Sequence, residues 1–138
     1  MTSFDWEEYR RWLEQARHTL NSARRDLEAR DYAWACFKAQ QAGEYAVKGV
    51  LRGAGRLGAG HSILKLLREL EETGMSVSDM SAHARTLDRH YIPPRYPDAY
   101  PAGSPFEFYD EKTAHEAIEA AAVLIDFASK VSENVAGS

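Results

Sequence analysis

The segment Arg85-Thr86-Leu87-Asp88-Arg89-His90 separates an arginine from a histidine by four residues, and those two types together could act on a phosphodiester. The arginine would hold the scissile phosphate and its developing charge, while the histidine would move a proton to or from a 2′-hydroxyl or a leaving oxygen. Five helical steps of about 100° put the two side chains roughly 140° apart, so convergence would need a frayed helix end or two subunits pooling residues. Just beyond lie Ile92-Pro93-Pro94-Arg95-Tyr96-Pro97-Asp98. The paired prolines remove backbone donors and fix φ, so a helix through Leu87 should stop near Ile92 and leave Arg95 on a stiffened exit loop. There Tyr96 could stack on a base while Lys48, Arg89 and Arg95 neutralise phosphate.

A second role competes for the same residues. Gln40, Gln41, Glu44 and Lys48 form a polar edge at helical spacing, and Glu44 to Lys48 has the favourable order for an i,i+4 ion pair. Gln40 and Glu44 could also reach the proline-bounded loop and receive Arg95. With Asp98, they are read as a structural lock tying the loop to the second helix.

Other constellations have simpler explanations. Gly53-Ala54-Gly55-Arg56-Leu57-Gly58 spells a dinucleotide fingerprint, but that motif works between a strand and a helix, and here it follows a helix as a terminator. Lys48, Arg52 and Arg56 recur every four residues and suit the negative end of a helix dipole. His83 and His90 share a helix face without a cysteine or close carboxylate to complete a ligand set, so no metal and no cofactor are expected. His18, His61 and His115 are explained by surface, capping and packing roles. The lone Cys36, among Ala35, Phe37 and Ala39, reads as a packing residue.

The net charge of −4 argues against a protein that coats nucleic acid by bulk electrostatics. Its distribution is uneven: from Phe106 onward seven acids face two lysines, while residues 45–67 hold Lys48, Arg52, Arg56 and Lys65 and no acid. An anion site would therefore be a patch. No apolar run approaches the roughly 20 residues of a membrane span, and the acidic start lacks the features of a secretory signal, so a cytoplasmic protein is expected.

The elements that must position these residues follow from periodicity. Trp6, Tyr9, Leu13, Ala16, Leu20, Ala23 and Leu27 mark one stripe of a long helix, and Tyr32, Cys36, Ala39, Gly43, Ala46 and Val50 mark a second. The small residues of the second stripe predict a close antiparallel hairpin turning near Arg30-Asp31. A short helix opens at His61-Ser62, and a fourth begins at Ser78 or Asp79, passing through Met80, Ala84, Leu87 and Tyr91. A last one starts near Asp110 and carries Ala114 to Val131. The fold class is all-α, a single domain over residues 1–138, an up-down bundle of four main helices plus one short helix. Only Ala136-Gly137-Ser138 is expected to fray.

Taken in order, Trp12, Asp26-Leu27, Tyr32, Gln40-Gln41-Ala42-Gly43-Glu44 with Lys48, His61-Ser62 with Leu64 and Leu67, Leu87, Tyr91 and Arg95-Tyr96-Pro97-Asp98 resemble the HEPN family. These are the "higher eukaryotes and prokaryotes nucleotide-binding" helical domains, and the ordered combination looks most like their stand-alone prokaryotic branch. The resemblance implies an up-down helical bundle, often dimeric and commonly encoded beside a minimal nucleotidyltransferase in toxin–antitoxin-like pairs. Some relatives are metal-independent ribonucleases whose arginine and histidine occupy the helix that here holds Arg85 and His90. Thr86 departs from their pattern, which often has an amide or carboxylate after the arginine. The leading expectation is a homo-oligomeric module that works with a nucleotidyltransferase and binds a nucleotide or RNA phosphate through Lys48, Arg89, Arg95 and Tyr96. The alternatives are an endoribonuclease toxin using Arg85 and His90 across a dimer, and a structural dimer joined by the apolar faces of its fourth and fifth helices.

Overall fold

The computed structural model describes residues 3–136, with side chains through Val131. Its order is α1 (Trp6–Glu28), α2 (Tyr32–Gly53), α3 (Ile63–Glu71), α4 (Ser81–Asp88) and α5 (Glu111–Ala136), with 3-10 turns at Ser78–Met80, Pro97–Ala99 and Pro105–Glu107. No strand occurs among the described residues. Three helices are long and two are short, so the fourth helix is smaller than its periodicity suggested. Of the tripeptide expected to fray, Ala136 is the last residue of α5, and Gly137-Ser138 lie outside the described residues.

Asp5 caps α1 by accepting from the Glu8 amide at 3.1 Å, which satisfies one of the first-turn donors. At the other end Arg30 takes φ 65°, and the Asp31 amide reaches back to the Asp26 carbonyl at 2.8 Å, closing the helix in the left-handed manner usually left to glycine. The hairpin is antiparallel, since the Asp5 amide donates to the Gly53 carbonyl at 2.8 Å where α2 ends. Asp31 occupies the cap position of α2 but makes no side-chain capping bond.

The α2 helix is the centre of the bundle. Its expected stripe is buried from Cys36 to Val50, with Tyr32 half-buried, and Ala33, Ala35, Gln40, Ala42, Glu44, Val47, Lys48, Gly49 and Leu51 are buried too, because α1, α3, α4 and α5 all pack around it. A Cβ on Gly43 would lie 2.6 Å from Leu87 Cδ1, 3.1 Å from Leu124 Cδ1 and 3.2 Å from Ile63 Cδ1, so α3, α4 and α5 all approach α2 at one point. The α5 helix runs antiparallel to α1: Tyr9 near the start of α1 donates its hydroxyl to the Ala128 carbonyl at 2.6 Å.

The α4 helix ends at Asp88, four residues before the stop expected at Ile92. The His90 amide bonds to the Leu87 carbonyl in a tighter turn, which releases Asp88 to serve another helix. The apolar faces of α4 and α5, including Ala84, Leu87, Ala121 and Leu124, are buried inside this chain. They are therefore not free to form the dimer contact considered from sequence. No helix among the described residues is long and apolar enough to cross a membrane.

Candidate functional site

The polar edge of α2 faces the start of α3 and the turn after α4. Glu44, 2% exposed, receives Lys48 Nζ at 3.0 Å and Gln40 Nε2 at 3.3 Å, and lies 3.2 Å from His61 Nδ1. Gln40 spends its second amide proton on the His61 carbonyl at 3.1 Å. Gln41 donates to Gln40 Oε1 at 2.7 Å, and Tyr45 donates to Gln41 Oε1 at 3.0 Å. Burial, with Glu44 alongside, raises the Tyr45 phenol pKa and keeps it a donor. A buried carboxylate is tolerated here because a cation and fixed donors replace its water.

His61 carries this network to the surface. Its ring stacks on Tyr91 with centroids 4.4 Å apart and planes inclined by 18°. Beyond Tyr91 stands Arg95, whose Nε donates to the Tyr91 carbonyl at 2.8 Å. The guanidinium carbon lies 4.1 Å from the Phe37 ring centroid, 4.7 Å from Tyr91 and 5.1 Å from Tyr96. Arg95 thus fastens the proline-bounded loop to α2 through Phe37, by cation–π contact. Its partners are aromatic, and Glu44 and Gln40, the partners expected from sequence, are engaged by Lys48 and His61 instead. The terminal guanidinium nitrogens have no carboxylate partner among the described residues.

The remaining residues divide by exposure. Tyr96 is 48% exposed and Arg89 is exposed without an ion pair among the described residues. Lys48 is nearly enclosed and belongs to the Glu44 network. Asp98 is exposed in the Pro97–Ala99 turn and makes no side-chain bond to the described residues.

Arg85 and His90 occupy different environments. Arg85 is exposed, whereas His90 is buried with Nδ1 3.3 Å from the Tyr109 hydroxyl. Burial, and secondarily the charge of Arg89, lowers the His90 pKa to about 4, so the imidazole is neutral at neutral pH. Burial likewise pushes the Cys36 thiol up to about 12, in keeping with a packing role.

Sequence reasoning missed Asp88. Its carboxylate accepts from the Ile63 amide at 2.8 Å, the Leu64 amide at 3.1 Å and the Ser62 hydroxyl at 3.2 Å, capping α3 from another helix. It beds α3 against the end of α4 and so fixes where His61 meets Tyr91. The only sequence signal was an acid near a helix end, 25 residues from the amide it serves.

This constellation sits in a chain that matches the HEPN domain model over residues 9–131, and the protein belongs to the HEPN domain family. Among solved structures it is similar to TT1696 from Thermus thermophilus, with 47% identity and a TM-score of 0.84, covering 88% of this chain and 96% of that one. It is also similar to ST0689, an archaeal HEPN homologue, with 36% identity, a TM-score of 0.74 and coverage of 94% and 97%. A HEPN domain protein from Thermotoga maritima matches with 33% identity and a TM-score of 0.71, covering 88% of this chain and 96% of that one. Human sacsin is 29% identical over 129 residues, which span 86% of this chain and 3% of sacsin.

Proposed function

We propose that this chain is a homo-oligomeric HEPN module that acts with a minimal nucleotidyltransferase, in a toxin–antitoxin-like pair, and holds a nucleotide or RNA phosphate at Arg95. The observation that carries the reading is the Arg95 guanidinium, oriented by Phe37, Tyr91 and Tyr96 while its terminal donors stay unpaired among the described residues. A planar fork held in place loses little freedom on binding a phosphate. Exposed Tyr96 supplies a face for a base, and Arg89 adds charge on the same stretch of chain. Lys48 acts from beneath, through Glu44 and His61, by fixing Tyr91.

Calorimetric titration with ATP in the presence of a chelator tests the site. Saturable binding is expected, abolished by Arg95→Ala and weakened at least tenfold by Arg95→Lys; a flat titration, or one unchanged by Arg95→Ala, would refute it. Co-expression with a nucleotidyltransferase from the neighbouring reading frame should give a complex that co-elutes on size exclusion. Buried, neutral His90 supports a non-catalytic module, so single-stranded RNA incubated without metal should remain intact with wild type and His90→Ala alike.

A further inference from the structure

His61 links a buried charge to the surface, since the Glu44 side chain is 2% exposed and the imidazole 54%. Its Nδ1 lies 3.2 and 3.4 Å from the two Glu44 carboxylate oxygens. An ionised carboxylate only accepts, so Nδ1 carries a hydrogen whether the ring is neutral or charged. The proton that comes and goes is therefore on Nε2, which makes no bond among the described residues. The same ring stacks on Tyr91 at 4.4 Å, and the Arg95 guanidinium carbon lies 4.7 Å from the Tyr91 centroid. One tyrosine thus separates the exposed imidazole from the proposed anion site, close enough for neighbouring phosphates of one polyphosphate chain to meet both.

The ionisable and charged groups around His61 are Glu44 and Lys48 on α2, Asp88 at the end of α4, Tyr91 and Arg95 in the exit loop, and Lys65 in the first turn of α3. Lys48, at 3.0 Å, already matches the Glu44 charge. The Asp88 carboxylate lines an adjoining cavity of about 170 Å³ and is committed to the Ile63 and Leu64 amides. Neither carboxylate is left over to balance a charged imidazole, so that balance falls to an anion arriving at Arg95. We infer that His61 is a second, proton-controlled contact of the Arg95 site: Nε2 takes a proton from solvent as a phosphate arrives and donates it in a hydrogen bond, while Glu44 fixes the ring through Nδ1. The assignment presupposes the proposed Arg95 site and supplies its regulation, binding being tighter at lower pH. A neutral ring turns an Nε2 lone pair toward a phosphate oxygen, whereas the charged ring offers a donor and a positive charge. Histidine makes this change of charge between about pH 5 and 8, and by linkage the bound anion and the proton strengthen one another by the same factor.

Calorimetric titration with ATP at pH 7.5, repeated in buffers of different ionisation heat, counts the protons bound with the nucleotide. Wild type should show net uptake, because ATP itself, held by cations in its more charged form, can only release protons. His61→Asn, which keeps a donor toward Glu44 and never charges, should abolish the uptake. The ratio of wild-type to His61→Asn affinity should grow about fivefold from pH 8.5 to 6.5, a comparison that cancels the titration of ATP. His61→Arg, a permanent cation that still stacks on Tyr91, should bind more tightly than wild type at pH 8.5 and take up no proton. Circular dichroism confirms that each variant is folded, and the wild-type proton count stands without them. ATP binding that depends on Arg95 but takes up no proton, or that keeps the same affinity ratio across pH, overturns the role of His61 and leaves the Arg95 site standing. Absence of ATP binding removes both.

Discussion

Glu44 shows how one residue can be read correctly in part. Its i,i+4 pairing with Lys48 was legible, because helical spacing alone brings the two together. Its near-complete burial was not, because α3 and His61 cover it from elsewhere in the chain. Glu44→Ala would leave the Lys48 ammonium enclosed without a partner, and a loss of about 3–5 kcal/mol in urea unfolding is expected, with a smaller loss for Glu44→Gln. His90 supplies a pH test. Its folded pKa of about 4 lies below the ordinary 6.5, so the unfolded chain binds the extra proton first. The associated stability is present above about pH 6.5 and falls as the pH drops toward 4, by about 3 kcal/mol at most. His90→Asn, which keeps a polar atom facing Tyr109, should flatten that part of the stability–pH curve measured by urea denaturation between pH 7 and 4.5.

Among the elements, the amphipathic helices α1 and α5 were plain in the sequence because each buries one stripe, and a stripe is a local pattern. The α2 helix was only half legible. It buries nearly every side, and the small residues that marked a close approach did not reveal that three helices meet at Gly43. Gly43→Ala should therefore be destabilising by about 1–3 kcal/mol, visible as a lower thermal midpoint, because the leucine and isoleucine methyls must move to admit a Cβ. The α4 helix was read four residues too long, since the prolines marked the last point at which it could stop while the His90 turn and the capping of α3 stopped it earlier. Asp88→Ala should cost about 1–2 kcal/mol and raise hydrogen exchange at the Ile63 and Leu64 amides, with little change in α1.

For the molecule as a whole, the ends of the chain are joined through Tyr9, whose hydroxyl meets a carbonyl 119 residues away. Tyr9→Phe should lower stability by about 1 kcal/mol, and unfolding monitored in α1 and α5 should remain a single coincident transition because both helices share the core. Only the assembled bundle stacks Phe37, Tyr91 and Tyr96 against Arg95 and turns the resulting surface outward. Legible in the sequence alone were the all-helical class, the place where the hairpin turns and which faces are apolar, whereas the expected contact of Arg95 with Gln40 and Glu44 gave way to Phe37, Tyr91 and Tyr96. The legible properties rest on periodicity, proline chemistry and an ordered set of motif residues. Tertiary structure alone decided that Lys48 and His61 share Glu44, that Asp88 caps a helix 25 residues away, and that His90 is buried while Arg85 is exposed. Hydrogen bonds and desolvation act across space, so contacts between residues far apart in the chain are fixed only when the helices pack.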